Sequence, residues 1–97
     1  EAKSLLRRTV PVARRVLGEG NELTIIMGSN YAKALYADAN ATLDDLREAV
    51  ETLAETERTA RRVLGGAHPS LESVGRNLLA ARAALHTREE GKVIESI

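Results

Sequence analysis

An internal repeat constrains the fold of this chain more than any other feature. Residues 1–18 read EAKSLLRRTVPVARRVLG and residues 48–65 read EAVETLAETERTARRVLG, an offset of 47 positions. Ten of these eighteen positions are identical, and six of the ten are consecutive. The offset continues more weakly beyond them, where Gly28, Asn30 and Ala34 return as Gly75, Asn77 and Ala81. A period of this length indicates a duplicated supersecondary unit whose copies stack on each other.

Each copy of the repeat carries two helical patterns. In the first pattern, apolar side chains recur at steps of four, three and four along one face: Leu6, Val10, Ala13 and Leu17. This spacing is typical of an amphipathic helix. The fourth pattern is similar and contains Leu71, Val74, Leu78, Ala81 and Leu85. The chain is therefore predicted to be all-α, with four helices.

Helix start and stop signals set the predicted boundaries. Gly18 and Gly65 can adopt the left-handed backbone that often ends a helix. Asn21 and Thr42 are suitable N-caps, and Pro69 suits the first position of a helix. The predicted helices span about 1–17, 22–38, 42–64 and 69–88. Together they make a helical region at 1–91, which Gly91 is expected to close, and 92–97 is expected to be a tail.

Composition excludes several classes of function. The 14 Lys and Arg residues balance the 14 Asp and Glu residues, so the excess cation that nucleic-acid binding requires is lacking. The absence of Cys excludes disulfides and Cys-ligated zinc. No apolar run approaches the ~20 residues that span a bilayer. We expect no nucleic-acid or membrane partner, no cofactor and no metal. The two histidines have no catalytic partners in the sequence, so we expect no enzyme activity.

The turn between the third and fourth patterns carries a family resemblance. Residues 60–69 read ARRVLGGAHP, and the following helix contains Asn77-Leu78. A Val-Leu-Gly-x-x-His-Pro turn of this kind, after a helix that opens with Glu-Ala, resembles the tetratricopeptide repeat (TPR) of the kinesin light chain type. The resemblance covers about residues 1–88. It is imperfect, because the first turn lacks His-Pro and the repeat is several residues longer than usual, with the surplus expected at residues 38–43.

The resemblance implies an α-solenoid of antiparallel helix pairs that binds other proteins. In such repeats the first helix of each pair lines a concave groove, which holds a peptide segment of a partner. Helices two and four take that position here. The implied groove residues are Ile26, Ser29, Asn30, Lys33, Tyr36, Ser73, Arg76, Asn77 and Ala80. A cytoplasmic location is the default for such a module.

Asn30 and Asn77 are the most specific groove candidates. An amide offers both a donor and an acceptor, so it can bind the backbone of an extended peptide. Local hydrogen bonds within their own helices are the alternative role for both side chains. Lys33 and Arg76 could meet acidic groups of a ligand, or they could be ordinary solvated charges.

A structural or oligomerisation element is the alternative function. The apolar spacing in the third helix also fits a coiled coil. The outward faces of helices one and four could mediate self-association. Helix one is basic and helix three is acidic, so the two are expected to lie side by side.

Overall fold

The computed structural model describes the backbone of residues 2–96 and the side chains of residues 3–91. Within residues 2–96 it contains four helices and no strand. They are α1 (Ala2–Leu17), α2 (Glu22–Tyr36), α3 (Leu43–Leu64) and α4 (Pro69–Ser96). The predicted all-α class and the number of helices are confirmed.

The helix α2 lies at the centre of the packing, because it contacts each of the other three helices. The helix α3 packs on both α2 and α4, and α1 packs on α2. Leu35, Leu53 and Val74 are the largest fully buried side chains, one each from α2, α3 and α4. Between them lie fully buried alanines, which let the helices approach closely: Ala32, Ala49, Ala60 and Ala81. The core is thus built without Phe or Trp.

The ends of α1 and α3 follow the predicted turn chemistry. Gly18 and Gly65 follow the last helical residues and have positive φ angles of 91° and 84°. Few other residues adopt these angles without strain. The side chain of Asn21 caps α2 by accepting a hydrogen bond from the backbone N–H of Leu23 at 2.9 Å. The two copies of the repeat therefore stop their first helix in the same way.

Two helix ends differ from the sequence prediction. The helix α2 stops at Tyr36, two residues before the predicted end, and Asp38 then accepts a hydrogen bond from the backbone N–H of Asn40. The helix α4 continues through Gly91 to Ser96, well past the predicted end near residue 88. Glycine lowers helix propensity by about 1 kcal/mol, but it ends a helix only when its backbone turns left-handed. Gly91 stays helical, so residues 92–96 are helix and not the expected tail.

Charged side chains of basic α1 and acidic α3 reach each other, but the two helices do not pack side by side as predicted, because α1 packs on α2 alone. Lys3 Nζ lies 3.5 Å from Asp45 Oδ2, and Arg7 Nη2 lies 3.9 Å from Glu48 Oε1. These side chains are partly exposed, so each pair contributes only about 0–1 kcal/mol to stability. The pairs therefore orient α1 on the rest of the molecule more than they stabilise it.

A capping box begins α3. Thr42 Oγ1 accepts a hydrogen bond from the backbone N–H of Asp45, and the Asp45 carboxylate accepts one from the backbone N–H of Thr42. The second bond, followed by the charge of Lys3, lowers the pKa of Asp45. A carboxyl whose pKa is lowered by folding binds its proton more readily when unfolded. Its contribution to stability is present above about pH 4 and is lost as the pH falls further.

We therefore expect Asp45→Asn to lower the melting temperature at pH 7 and to have a smaller effect near pH 2.5, where the wild-type carboxyl binds its proton to a greater extent. Thermal melts of both proteins at the two pH values measure this difference. Asp44→Asn, at a neighbouring exposed position, is the control. A difference between wild type and Asp45→Asn that is equal at both pH values would contradict the assignment.

Candidate functional site

A hydrogen-bonded junction joins α2 to α4. Asn77 Nδ2 donates to Ser29 Oγ at 2.8 Å, and Tyr36 Oη donates to Asn77 Oδ1 at 3.1 Å. Ser29 is buried, while Tyr36 and Asn77 are half-buried. Burial raises the pKa of the Tyr36 hydroxyl, which favours the protonated form that donates this bond. Three of the predicted groove residues thus come together in a link between helices.

The other predicted groove residues flank this junction. On α2, Ile26, Asn30 and Lys33 recur at steps of four and three, and all three are exposed. On α4, Arg76 and Ala80 are exposed. Because α2 packs beside α4, these residues form two exposed strips on either side of the Ser29–Asn77–Tyr36 junction. We call the two strips, together with half-buried Ser73, the inner face.

The two asparagines differ in the structure, although they occupy the same repeat position. Both polar atoms of the Asn77 amide are engaged by side chains of α2, so they link two helices and do not bond locally within α4. Asn30 is exposed, so its amide is accessible. A ladder of two equivalent amides along a peptide would require Asn77 to give up bonds within the protein. Asn30 is therefore the stronger candidate for ligand contact.

An open groove continues the α2–α4 junction beyond the end of α2. It has a volume of about 660 Å³ and lies between the α2–α3 loop and the second half of α4. The groove exists because α4, with 28 residues, is far longer than α2, with 15. Its lining includes Tyr36, Asp38, Ala41, Leu46, Ala84 and Arg88. The apolar lining and the opposite charges of Asp38 and Arg88 thus extend the inner face beyond the end of α2.

Arg88 ties the α2–α3 loop to α4, and sequence reasoning missed it. Its Nη1 donates to the backbone oxygen of Ala41 at 2.7 Å. The signal available in the sequence was the surplus length of the repeat at residues 38–43, which predicts a longer loop next to the following helix. The sequence did not indicate which α4 side chain would reach that loop.

A second groove, of about 440 Å³, is lined by residues of α1, α2 and α3. Tyr31 at its base donates a hydrogen bond to the Glu48 carboxylate and accepts one from Arg7 Nε at 3.2 Å. Burial, followed by the Glu48 hydrogen bond, raises the pKa of the Tyr31 hydroxyl. This network connects three helices, so Arg7, Tyr31 and Glu48 have a structural role in the groove.

The two repeat turns are also in contact. His68 Nδ1 accepts a hydrogen bond from the backbone N–H of Ser70 at 3.0 Å, which caps α4. His68 Nε2 lies 3.2 Å from Glu22 Oε2 in the preceding turn. His68 thus has a structural role, because it holds the starts of α2 and α4 side by side.

Two further features bear on the class of site. Across the part of the chain that the structure describes, no three His, Asp or Glu side chains are grouped so that they could hold a metal ion. No described helix combines the length and the apolar character that crossing a membrane requires. Comparison with protein-family models, with curated proteins and with solved structures found no match to this chain.

Proposed function

We propose that this protein is an interaction module that binds a peptide segment of a partner protein on its inner face. The observation that carries the proposal is the side-by-side packing of α2 and α4, which are equivalent helices of the repeat. Repeated helices placed in this way present the same kind of surface twice, so a single extended ligand can contact both.

The helix contacts support a TPR-like solenoid as the framework of this module. In a stack of helix pairs, a first helix packs on the second helices before and after it and on the next first helix. The helix α2 has these three contacts, with α1, α3 and α4. The Cα atoms extend over 47 × 29 × 15 Å, a flat shape suited to a stack only a few helices long.

The chemistry of the inner face favours an acidic peptide with apolar side chains. Lys33 and Arg76 are exposed on the two strips, and the strips themselves carry no carboxylate. Ile26 is 40% exposed and offers an apolar contact beside them. Opposite charges guide association and set the orientation of a ligand, while buried apolar contacts supply most of the affinity.

Preorganisation supports binding of such a ligand. The Ser29–Asn77–Tyr36 junction and the Glu22–His68 contact fix α2 against α4 before any ligand arrives. A receptor whose helices are already fixed loses little conformational entropy on binding. Most of the conformational entropy lost on binding is then that of the peptide.

A charge-reversal experiment tests the inner face. Linear peptides selected from a random phage-displayed library on the wild-type chain would be measured against Lys33→Glu/Arg76→Glu by fluorescence polarisation. We expect these peptides to be enriched in Asp and Glu and to bind the variant at least about tenfold more weakly, because two favourable charges become repulsive.

The matched control is Arg58→Glu/Arg62→Glu, which makes the same charge change at exposed positions of α3. It should leave the affinity within about twofold of the wild-type value, apart from long-range screening effects. Equal loss in both double variants, or no loss in Lys33→Glu/Arg76→Glu, would remove the assignment of the ligand to the inner face.

A further inference from the structure

The outward faces of α1 and α4 carry large apolar side chains that are exposed. On α1, Leu5, Val12 and Val16 are 59%, 43% and 74% exposed. On α4, Leu79 is 68% exposed. Large side chains at such exposure mark an interaction surface when they lie along one helix face.

The repeat shows what these faces would contact. Inside the molecule, α2 packs on α3 through a close approach in which a Cβ at Gly28 would lie 3.5 Å from Thr56 Oγ1. At the offset of 47 residues, Gly28 corresponds to Gly75 on α4, and Thr56 corresponds to Thr9 on α1. Both residues of the internal contact therefore recur, one on each outward helix of the same chain. Gly75 is half-buried, and a Cβ there would lie 3.5 Å from the flexible Glu57 carboxylate of α3.

Charge supports the same correspondence. Ile25 of α2 and Glu55 of α3 line one small cavity, which Arg14 of α1 lines as well. Their equivalents at the repeat offset are Glu72 on α4 and Arg8 on α1, both exposed. An apolar residue and a carboxylate that line the same internal cavity thus correspond to a carboxylate and a guanidinium on the two outward faces. This exchange creates an ion pair that the internal interface lacks.

A symmetric contact of α1 with α1 of another copy is disfavoured by charge. Arg8 and Arg15 border the exposed strip formed by Leu5, Val12 and Val16, and α1 contains no Asp or Glu from Ala2 to Leu17. A twofold contact through this strip would bring like charges together without compensation. The acidic residue needed opposite Arg8 is instead present on α4.

We propose that the chain associates head to tail with a second copy, with the α4 outer face of one molecule (Glu72, Gly75 and Leu79) packing on the α1 outer face of the next (Arg8, Thr9, Val12 and Val16). The contact repeats the internal stacking of α2 on α3. It uses two different surfaces, so it is heterologous and can propagate into open-ended oligomers. This inference goes beyond peptide binding and does not depend on it.

The proposed interface is weaker than the internal one. Arg82 stands at the position equivalent to buried Leu35, and it keeps a charge near the contact. The association should therefore depend on concentration and weaken as added salt screens the pair of Glu72 with Arg8. The α2 strip of the inner face would remain accessible to a peptide, because Asn30 and Lys33 lie outside both outer faces.

Sedimentation velocity with two blocking variants tests the proposal. Leu79→Glu disables the α4 outer face and Val16→Glu disables the α1 outer face, at exposed positions where the fold should tolerate them. From about 10 µM to about 1 mM, where weak polar interfaces associate, the wild-type chain should sediment progressively faster. Each variant alone should stay monomeric. Their equimolar mixture should form a dimer and go no further, because one intact face of each kind remains.

A charge exchange tests whether Glu72 of one copy lies opposite Arg8 of the next. The control is Ile26→Glu on the inner face, which should associate like the wild-type chain. Arg8→Glu and Glu72→Arg should each weaken self-association by about tenfold, and the double variant should restore it. A wild-type chain that is monomeric throughout, a variant mixture with no dimer, or a double variant that is not restored overturns the proposal. Circular dichroism confirms that each variant is folded.

Discussion

Leu53→Ala should destabilise the protein by about 3 kcal/mol, because Leu53 has no exposed surface and its truncation leaves a cavity. The helix that carries it, α3, packs on both α2 and α4, so backbone movement cannot easily close that cavity. A loss of this size should lower the melting temperature of a chain of this length by about 15 °C. Urea unfolding followed by circular dichroism measures the free-energy change directly.

The repeat supplies a matched control for Leu53. Leu6 is the same residue at the equivalent position of the other copy, but it lies on α1 and is only half-buried. We expect Leu6→Ala to cost about 1 kcal/mol, since less apolar surface and a smaller cavity are involved. A Leu6→Ala variant as unstable as Leu53→Ala would contradict the packing order, in which α3 lies between two helices and α1 lies on one.

Most of the fold was predictable because local chemistry determines it. Asn21 and Thr42 cap the helices that follow them, and Gly18 and Gly65 stop the helices before them, as their sequence context indicated. These signals need only a few neighbouring residues. The wrong prediction that α4 ends before Gly91 has the same origin. The sequence shows that a glycine can adopt a left-handed backbone, but it does not show whether this glycine does so.

The site was less predictable, because it depends on contacts between distant residues. The sequence placed Ser29, Tyr36 and Asn77 on the correct helices. It did not show that the Asn77 amide is bound by side chains 48 and 41 positions away. Periodicity identifies the apolar side of a helix. The hydrogen-bond partners of the Asn77 side chain depend instead on how α2 and α4 cross. The same limit explains why the Arg88 contact was missed.

The junction also changes how the groove should be tested. Asn77→Ala removes two hydrogen bonds between α2 and α4 and leaves Ser29 buried without its donor. Such a variant loses stability as well as any ligand contact, so weaker binding would have two explanations. Asn30→Ala changes an exposed amide alone. The inner face is therefore better tested at Asn30, Lys33 and Arg76 than at the pair of asparagines.

Gly65→Ala should destabilise the protein by about 2 kcal/mol through the backbone alone. Gly65 has φ 84° and ψ 167°, a conformation that is essentially restricted to glycine. A Cβ placed there meets no atom within 4 Å, so steric contact with the rest of the molecule contributes nothing. The turn that Gly65 begins carries the His68 cap of α4, and straining it should weaken the docking of that helix.

Two comparisons isolate the backbone effect. Gly66 is also free of contacts within 4 Å and lacks a positive φ, so Gly66→Ala should be neutral or stabilise by up to about 1 kcal/mol. Replacing Gly65 with D-alanine by chemical synthesis should also preserve stability. The mirror image of its backbone angles is an extended conformation that an L-residue adopts freely, so the D-residue fits the native angles. If D-alanine destabilises as much as L-alanine, the cost at Gly65 arises from the added methyl group and not from backbone handedness.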